Sequence, residues 1–369
     1  MAPLSGHHHF DGTNALHKLP RPLRLLVYGG GLLFAVSGLR PAAALTITPF
    51  FASSISGAAN AAQVEGAINA AIDTIDSLYS NTGTIGIVFI QASGNFLGQS
   101  SSADYGLNYT NYVADLTAAS HREPGNTVLA SAVANLSSGN KPGSGGLVLL
   151  TSADARVGLG LPFASGCFNS GGAFVNTCGQ SYDGVITLTS SFTLNYGTTA
   201  VAGQYSAVQT VEHEINEILG GGGQGSVLNA IAAGNTAYNN DVGVLDLYRY
   251  SAPGVKSFST SGATLSYFSV DGGVTSIIGW NQNSSGDLAD FSTNNNIQSA
   301  FSSIGTLTPY NASSPEFAML ESLGYNGVVP EPASLAMLVT GLMGMRAVRR
   351  RRLDHDRLRL NPVPCPSVV

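Results

Sequence analysis

The chain has 369 residues, only 10% of them charged, and a formal net charge of −6 at pH 7. Residues 45–328 hold 18 of the 22 acidic residues but five of the 16 basic ones, so the charge of this region is near −13. An acidic surface argues against nucleic acid and anionic lipid surfaces as partners of this region. Its length suffices for one large domain or for two lobes that share a cleft.

The first 44 residues have the organisation of a secretory signal peptide. Lys18, Arg21 and Arg24 form a basic segment, residues 25–39 are apolar, and small residues offer a cleavage site after Ala44. This order of segments is that of a signal peptide removed on export. We therefore expect an exported protein whose mature part begins at residue 45.

Apolar spacing predicts the elements of residues 45–328 in chain order. Helical periodicity predicts helices at 58–79, 109–118, 127–136, 204–219 and 314–323. Runs with strand character predict strands at 84–90, 147–150, 184–189, 243–250, 265–270 and 275–278. Four glycines at 220–223 end the fourth helix, because glycine is favoured just past a helix end. This order predicts an α+β fold with a mixed sheet and an irregular, β-containing C-terminal lobe.

Cys167 and Cys178 bracket a loop rich in glycine, serine and asparagine. Disulfides persist in the oxidising compartments that exported proteins enter, so we predict a disulfide that closes this loop. Two free thiols are the alternative. Cys365, near the C-terminus, is expected to be unpaired.

Residues 329–352 combine three unlike features in a fixed order. Val-Pro-Glu-Pro at 329–332 is followed by an apolar run at 333–345 and by a basic cluster that ends in four arginines. This order resembles the PEP-CTERM sorting signal of Gram-negative bacteria, which implies an exosortase partner that cuts near the Pro-Glu-Pro. We expect a transmembrane helix that anchors the protein transiently to the inner membrane, with a disordered cytoplasmic tail at 353–369. An ordinary C-terminal anchor is the alternative.

The helix at 204–219 carries the residues whose side chains could bind a metal ion or transfer a proton. Its apolar residues fall on one stripe, namely Val211, Ile215, Ile218 and Leu219. His213 and Glu217 fall on the opposite face, one turn apart, with Glu214 on the flank. Side chains at this spacing can bind the same metal ion. Glu212 falls close to the apolar stripe, and the sequence gives no reason for it.

A third metal ligand has to come from elsewhere in residues 45–328. The other histidine of this region, His121, lies beside Arg122 in what we interpret as a surface turn. Among nearby acids, Asp241 and Asp246 are candidates. We select Asp246, because a charge inside the strand-like run 243–250 needs a reason. An aspartate that satisfies backbone groups is an equal alternative.

His213-Glu214-x-x-Glu217 resembles the zincin motif His-Glu-x-x-His, in which the glutamate beside the first ligand activates a zinc-bound water. In the longer metzincin form a glycine follows, and Gly220 matches it. Glu217 and Gly223 stand where the second and third histidines are expected.

A wider set of segments resembles a metalloprotease family found on bacterial proteins that carry PEP-CTERM signals. The segments are 213–220, 245–255, 267–273, 286–291 and 320–325. The resemblance implies a zincin-like domain over residues 45–328, peptide hydrolysis and a glutamate as second ligand. It also implies that the strand at 184–189 lines the cleft and pairs with an extended substrate. A strand with no role beyond the sheet is the alternative.

Residues 281–290 carry oxygen-bearing side chains at alternate positions, as a calcium loop does. The acidic first residue and the glutamate at position twelve are missing. We interpret the segment as a turn-rich loop, with a Ca²⁺ site as the alternative.

Two functions from different classes follow. The first is an exported zinc metallopeptidase of the cell envelope or extracellular space that acts on a peptide or protein substrate. Glu214 would be its general base, with His213, Glu217 and Asp246 as ligands of Zn²⁺. The second is a non-catalytic surface or extracellular-matrix protein on a degenerate scaffold of this kind. A solvated polar helix face is the alternative for the motif residues.

Overall fold

The structure, a computed structural model, describes residues 45–136, 145–162, 166–176 and 182–328. The predicted signal peptide, sorting segment and tail lie outside these residues. The described strands are β1 (Leu45–Phe51), β2 (Gly83–Ala92), β3 (Gly98–Ser102), β4 (Asp104–Leu107), β5 (Val148–Thr151), β6 (Cys167–Phe168), β7 (Phe174–Val175), β8 (Gly184–Thr189), β9 (Leu194–Asn195), β10 (Tyr205–Ser206), β11 (Val242–Gly243), β12 (Arg249–Ala252), β13 (Val255–Lys256), β14 (Tyr267–Phe268) and β15 (Ile278–Gly279). The described α-helices are α1 (Ser53–Ser56), α2 (Ala61–Leu78), α3 (Tyr109–Arg122), α4 (Thr127–Asn135), α5 (Ala207–Ile218), α6 (Leu228–Ala232) and α7 (Pro315–Ser322).

The main sheet has the strand order β1-β2-β8-β3. Strands β1, β2 and β8 run parallel, whereas β3 runs antiparallel to β8 at the sheet edge. Parallel neighbours need a long crossover, and α2 supplies it between β1 and β2. Ile87 and Phe89 of β2 pack in the main core, and Val88 packs with Phe168 on the other face. Burial of both faces explains the nearly continuous apolar run of β2.

Helix α5, which carries the motif, packs against α2, β3 and β8. The Ser206 hydroxyl caps its start by accepting the Gln209 N–H at 3.1 Å. Gly220 follows the last turn with φ 96°, and the Gly221 N–H bonds to the Asn216 carbonyl at 2.8 Å. This pairing is the Schellman termination for which glycine is suited. The predicted apolar stripe faces the core, so the opposite helix face is free to line a cavity.

Smaller sheets complete a mixed α/β arrangement. One has the strand order β11-β5-β4, and another has the order β13-β12-β14-β15 with antiparallel neighbours. Helix α7 begins after Ser314 with Pro315 in its first turn, as predicted. The C-terminal part thus contains the short strands and long loops that the element order indicated.

The predicted strand at 243–250 is wrong. Strand β11 ends at Gly243, residues Leu245–Tyr248 form a 3₁₀-helix, and β12 begins only at Arg249. The Asp246 carboxylate accepts the Gly243 N–H at 2.8 Å, which turns the chain back on itself. A short, fully buried apolar run has the same sequence signature in a strand and in a buried turn.

The predicted disulfide is consistent with the structure at the end that is described. Cys167 begins β6 and is disulfide-bonded. Cys178 and Cys365 lie outside the described residues, so the structure does not identify the partner.

Candidate metal centre

Three side chains with metal-binding atoms converge beside helix α5. His213 Nε2 lies 3.6 Å from Glu217 Oε1, one helical turn away, and 3.6 Å from Asp290 Oδ2. The three donor atoms lie within 4.8 Å of one another. Within the described part of the chain, they form the one such group of histidine, cysteine or acidic side chains. The structure therefore brings the predicted pair together and adds Asp290.

The main chain orients the ring of His213. Its Nδ1 lies 2.9 Å from the carbonyl oxygen of Ile297. A carbonyl only accepts hydrogen bonds, so Nδ1 carries the hydrogen and Nε2 of the neutral ring presents a lone pair. This lone pair faces the carboxylates of Glu217 and Asp290. Three electron-pair donors that face one another are stable together only around a proton or a metal cation.

Asp290 and Asp287 belong to residues 281–290, which we name the acid loop. The Asn281 side chain organises this loop from within, because its Nδ2 donates to the carbonyl oxygens of Asn283 and Asp287 at 2.9 and 2.8 Å. From outside, the buried Arg249 donates to the carbonyl oxygen of Leu288 at 2.6 Å. The two aspartates are thus carried by a loop whose backbone is fixed on both sides.

Glu217 is held by two donors. Ser100 Oγ donates to its Oε2 at 2.5 Å, and the Gly223 N–H donates to its Oε1 at 3.0 Å. Gly223 stands where the metzincin form expects a third histidine. A Cβ atom at Gly223 would lie 2.7 Å from Asp287 Oδ2 and 2.9 Å from Glu217 Oε1. The acid loop therefore occupies the space that a side chain at position 223 would need.

Glu214 lines the same cavity and packs against strand β3. A Cβ atom at Gly98 would lie 2.5 Å from Glu214 Oε1, so the absence of a side chain at 98 makes room for the carboxyl group. Glu214 is 5% exposed. Burial, followed by the charge of Glu217, raises the pKa of Glu214 well above its usual range. A buried carboxyl group that lines the same cavity as the metal-binding atoms is a candidate general base.

The acidic groups of the cavity crowd one another. Burial raises the pKa of Asp290 well above its usual range. Burial and the charge of Glu217 raise the pKa of Asp287 to about 6. For His213, burial lowers the pKa, but Asp290 and the other acids outweigh it, and the pKa is raised well above its usual value. The single positive charge of a protonated His213 offsets only part of the negative charge of these acidic groups, and a divalent cation would offset more of it.

The donor types fit zinc, and so do the two separations from the histidine nitrogen. A tetrahedral ion with bonds of about 2.0–2.2 Å has ligand atoms roughly 3.3–3.6 Å apart. The two measured separations from His213 Nε2 are 3.6 Å each, and imidazole nitrogen and carboxylate oxygen both bind zinc. The group opens on a cavity of about 910 Å³, lined also by β3, the acid loop and residues 299–302. A substrate therefore has space beside the donors.

Strand β3 forms one wall of this cavity. The Thr189 N–H of β8 donates to the Leu97 carbonyl at 2.9 Å. Because pairing alternates along a strand, the main-chain groups of Gly98 and Ser100 point away from β8. Strand β8, at 184–189, pairs with β2 and β3 along both edges, which favours the alternative of a strand with no role beyond the sheet over one that pairs with substrate. Among the described strands of the main sheet, β3 is the one whose free edge borders the cavity.

The C-terminal segment matches a PEP-CTERM protein-sorting motif. The match covers residues 328–352. The motif implies recognition by an exosortase-type sorting enzyme and an exported protein of the cell envelope, which confirms the sorting signal inferred from the sequence. Of the helices that the structure describes, none has both the length and the apolar character to cross a membrane. The predicted transmembrane segment at 333–345 lies outside the described residues. No curated protein and no solved structure matches the chain.

The structure does not bring Asp246 to the metal centre. Its carboxylate accepts hydrogen bonds from the Ser226 hydroxyl at 2.6 Å and from the N–H groups of Val227 and Gly243 at 3.1 and 2.8 Å. This is the alternative in which a buried aspartate satisfies backbone groups. The choice of Asp246 depended on a strand that is in fact a 3₁₀-helix, and Asp290 takes its place.

The other two candidates are also elsewhere. Asp241 Oδ1 accepts the Leu147 N–H at 2.7 Å. His121 is exposed on the last turn of α3, as the surface interpretation expected.

Sequence reasoning placed Asp287 and Asp290 in a turn-rich loop with a Ca²⁺ site as the alternative, and it did not connect them with the motif helix; Ser100 and Ile297 were missed. A weak signal for the two aspartates was available, because Gly-Asp-Leu-Ala-Asp at 286–290 places two acids three residues apart within a segment of the family resemblance. Ser100 contributes a hydroxyl and Ile297 a carbonyl oxygen, and neither residue type indicates a site by itself.

Proposed function

We propose that the chain is an exported metallopeptidase that hydrolyses peptide bonds with the help of zinc. His213, Glu217 and Asp290 are its ligands, and Glu214 is its general base. The observation that carries the proposal is the convergence of an oriented imidazole nitrogen and two carboxylate oxygens, with a buried glutamate beside them. The resemblance to the metalloprotease family associated with PEP-CTERM signals supports the same reaction.

Glu214 supplies the proton transfer in this proposal. A zinc ion held by the three ligands would polarise the scissile carbonyl group and acidify water enough for reaction near neutral pH. Glu214 takes a proton from the attacking water and gives it to the leaving amine nitrogen. Glu214 lines the same cavity as the three ligands, so a water bound there is close to its carboxyl group.

The cavity walls support a polypeptide as substrate. The free edge of β3 at Gly98 and Ser100 can add an extended chain through main-chain hydrogen bonds. Gln224 restricts this edge, because its Nε2 donates to the Ser100 carbonyl at 3.3 Å. Among the described residues that line the cavity, none is a lysine or an arginine. Its acidic lining favours substrates that are neutral or basic around the scissile bond.

The metal content of the purified full-length protein tests the ligand set. We expect stoichiometric zinc by mass spectrometry, lost in His213→Ala and Asp290→Asn and retained in the surface control His121→Ala. Glu214→Gln is expected to keep zinc and to lose hydrolysis of a peptide library by about 10²–10⁴-fold, the usual contribution of a general base.

Each outcome has a separate meaning. A wild-type protein without zinc, or zinc retained in His213→Ala, would reject the metal centre. Stoichiometric zinc with no cleavage of any peptide pool would favour the non-catalytic surface or matrix protein. Unchanged hydrolysis in Glu214→Gln would remove Glu214 from the mechanism while leaving the metal centre in place.

A further inference from the structure

A buried carboxylate on the last helix holds a chain segment that reaches the metal centre. Glu316 is 0% exposed and lies in the first turn of α7. Its Oε1 accepts the N–H of Gln298 at 2.8 Å. The Gln298 N–H and the Ile297 carbonyl belong to one planar peptide unit, so this bond fixes the direction of the Ile297 carbonyl as well.

The segment held in this way contacts two of the proposed ligands. The Ile297 carbonyl oxygen lies 2.9 Å from His213 Nδ1. Gln298 Nε2 donates to Asp290 Oδ1 at 2.8 Å and lies 3.3 Å from His213 Nε2. Gly222 leaves the space for this amide, because a Cβ atom there would collide with Gln298 Nε2.

We propose that Glu316 is a positioning residue of the metal centre, which fixes Ile297 and Gln298 and thereby selects the Nδ1–H tautomer of His213 and orients Asp290. The inference rests on the proposed function, since a lone pair held in one direction matters most where it binds a cation. Partners of metal ligands that fix ring orientation commonly contribute 10- to 100-fold to metal affinity. Here the partner of the ligand His213 is the Ile297 carbonyl. Glu316, which positions that carbonyl, does not contact the ligand ring itself but acts through the Ile297–Gln298 peptide.

Glu316 acts through an oxygen that accepts a hydrogen bond, so a variant that keeps such an oxygen can be compared with one that lacks it. Glu316→Gln keeps one carboxamide oxygen for the Gln298 N–H, whereas Glu316→Leu keeps none at similar size. On the full-length protein, we expect the zinc affinity of Glu316→Leu, from competition with a chelator, to fall by about 10- to 100-fold. Glu316→Gln is expected to stay close to wild type. Glu321→Leu, at a half-buried acid on the same helix, is the matched control and should not change the affinity.

The tautomer of His213 in the metal-free protein gives a second readout, which a purely structural role would not change. Ring ¹⁵N shifts are recorded at a pH at which the ring is neutral, and the His213 signals are identified by their loss in His213→Asn. We expect the Nδ1–H form in wild type and in Glu316→Gln, and a mixture of both forms in Glu316→Leu.

An Nε2–H ring in the wild-type protein would overturn the inference, and so would an unchanged tautomer and zinc affinity in a folded Glu316→Leu variant. Should Glu316→Leu fail to fold, Glu316→Met, which also lacks an acceptor oxygen, takes its place in both measurements. Should the wild-type protein bind no zinc, the proposed function fails, but the tautomers of the metal-free proteins still decide the role of Glu316.

Discussion

Gly98 offers a way to disturb the proposed general base without touching the metal ligands. A Cβ atom at this position would lie 2.5 Å from Glu214 Oε1, 2.8 Å from Glu214 Cγ and 2.8 Å from Thr210 Cγ2. Non-bonded carbon atoms pack about 3.5–4.0 Å apart, so the methyl group of Gly98→Ala must displace its neighbours by roughly 1 Å. Pairing of β3 with β8 limits movement of the strand. The Glu214 side chain is therefore the part that moves.

Two magnitudes follow from this displacement. Inserting a methyl group into a packed site destabilises a protein by about 1–3 kcal/mol. A shift of about 1 Å at a catalytic group costs roughly 10²-fold in rate. We expect Gly98→Ala to lose about 100-fold in kcat/KM for peptide hydrolysis. Its zinc content should stay unchanged, since the clash involves none of His213, Glu217 and Asp290.

The assay combines zinc content, chemical denaturation and hydrolysis kinetics for Gly98→Ala and a control. Gly66→Ala on α2 is that control, because no described atom outside the neighbouring helix backbone lies within 4 Å of a Cβ atom at this position. Alanine is also the better helix former, so the control should be as stable as wild type or more so. Wild-type hydrolysis in Gly98→Ala would refute the placement of Glu214, and loss of zinc together with hydrolysis would refute the separation of base from ligands.

Two further predictions concern the surroundings of the site. Arg249→Met removes the donors to the buried carbonyl oxygens of Leu288 and Asn281. We therefore expect chemical denaturation to show a free energy of unfolding lower by about 2–4 kcal/mol, together with weaker zinc binding. Unchanged stability would show that Arg249 does not hold the acid loop. Burial raises the pKa of Glu212 from 4.5 to about 8. The native state therefore binds this proton more tightly than the unfolded chain does, and the stability of the wild-type protein falls as the pH rises from 4.5 to about 8. Glu212→Gln removes this loss and should be more stable than wild type near pH 8, by at most about 4 kcal/mol, with little difference below pH 4.5. Chemical denaturation at the two pH values measures this difference. A gain in stability that does not depend on pH would contradict the raised pKa of Glu212.

Elements with strong local periodicity were predictable from the sequence. The strand expected at 184–189 is β8, Gly184–Thr189, and the helix expected at 58–79 contains α2, Ala61–Leu78. Strand β3 was missed, because Gly-Gln-Ser-Ser-Ser at 98–102 has neither β-branched nor apolar residues. Its conformation comes from pairing with β8, which is tertiary context that a local pattern does not contain.

The residues of the candidate site also fall into those that a local sequence pattern predicts and those that depend on tertiary structure. His213 and Glu217 were predictable, because a spacing of one helical turn is local geometry. Asp290 and Glu316 were not, since the fold brings them to α5 from distant segments. Glu212 had no explanation in the sequence, and the structure places it in the buried region behind the motif helix, where the charge of Glu316 also raises its pKa.

The two departures from the metzincin frame have one physical explanation. The Gly223 N–H donates to Glu217 Oε1 while Ser100 Oγ donates to Oε2. A carboxylate can accept both bonds and still bind a cation, whereas a histidine that uses one ring nitrogen for a metal has only an N–H left to offer. A histidine at 223 would in turn need the volume that the Asp287 carboxylate occupies. Glutamate at 217, glycine at 223 and the acid loop are therefore mutually dependent, and a single Glu217→His change would not create a histidine site.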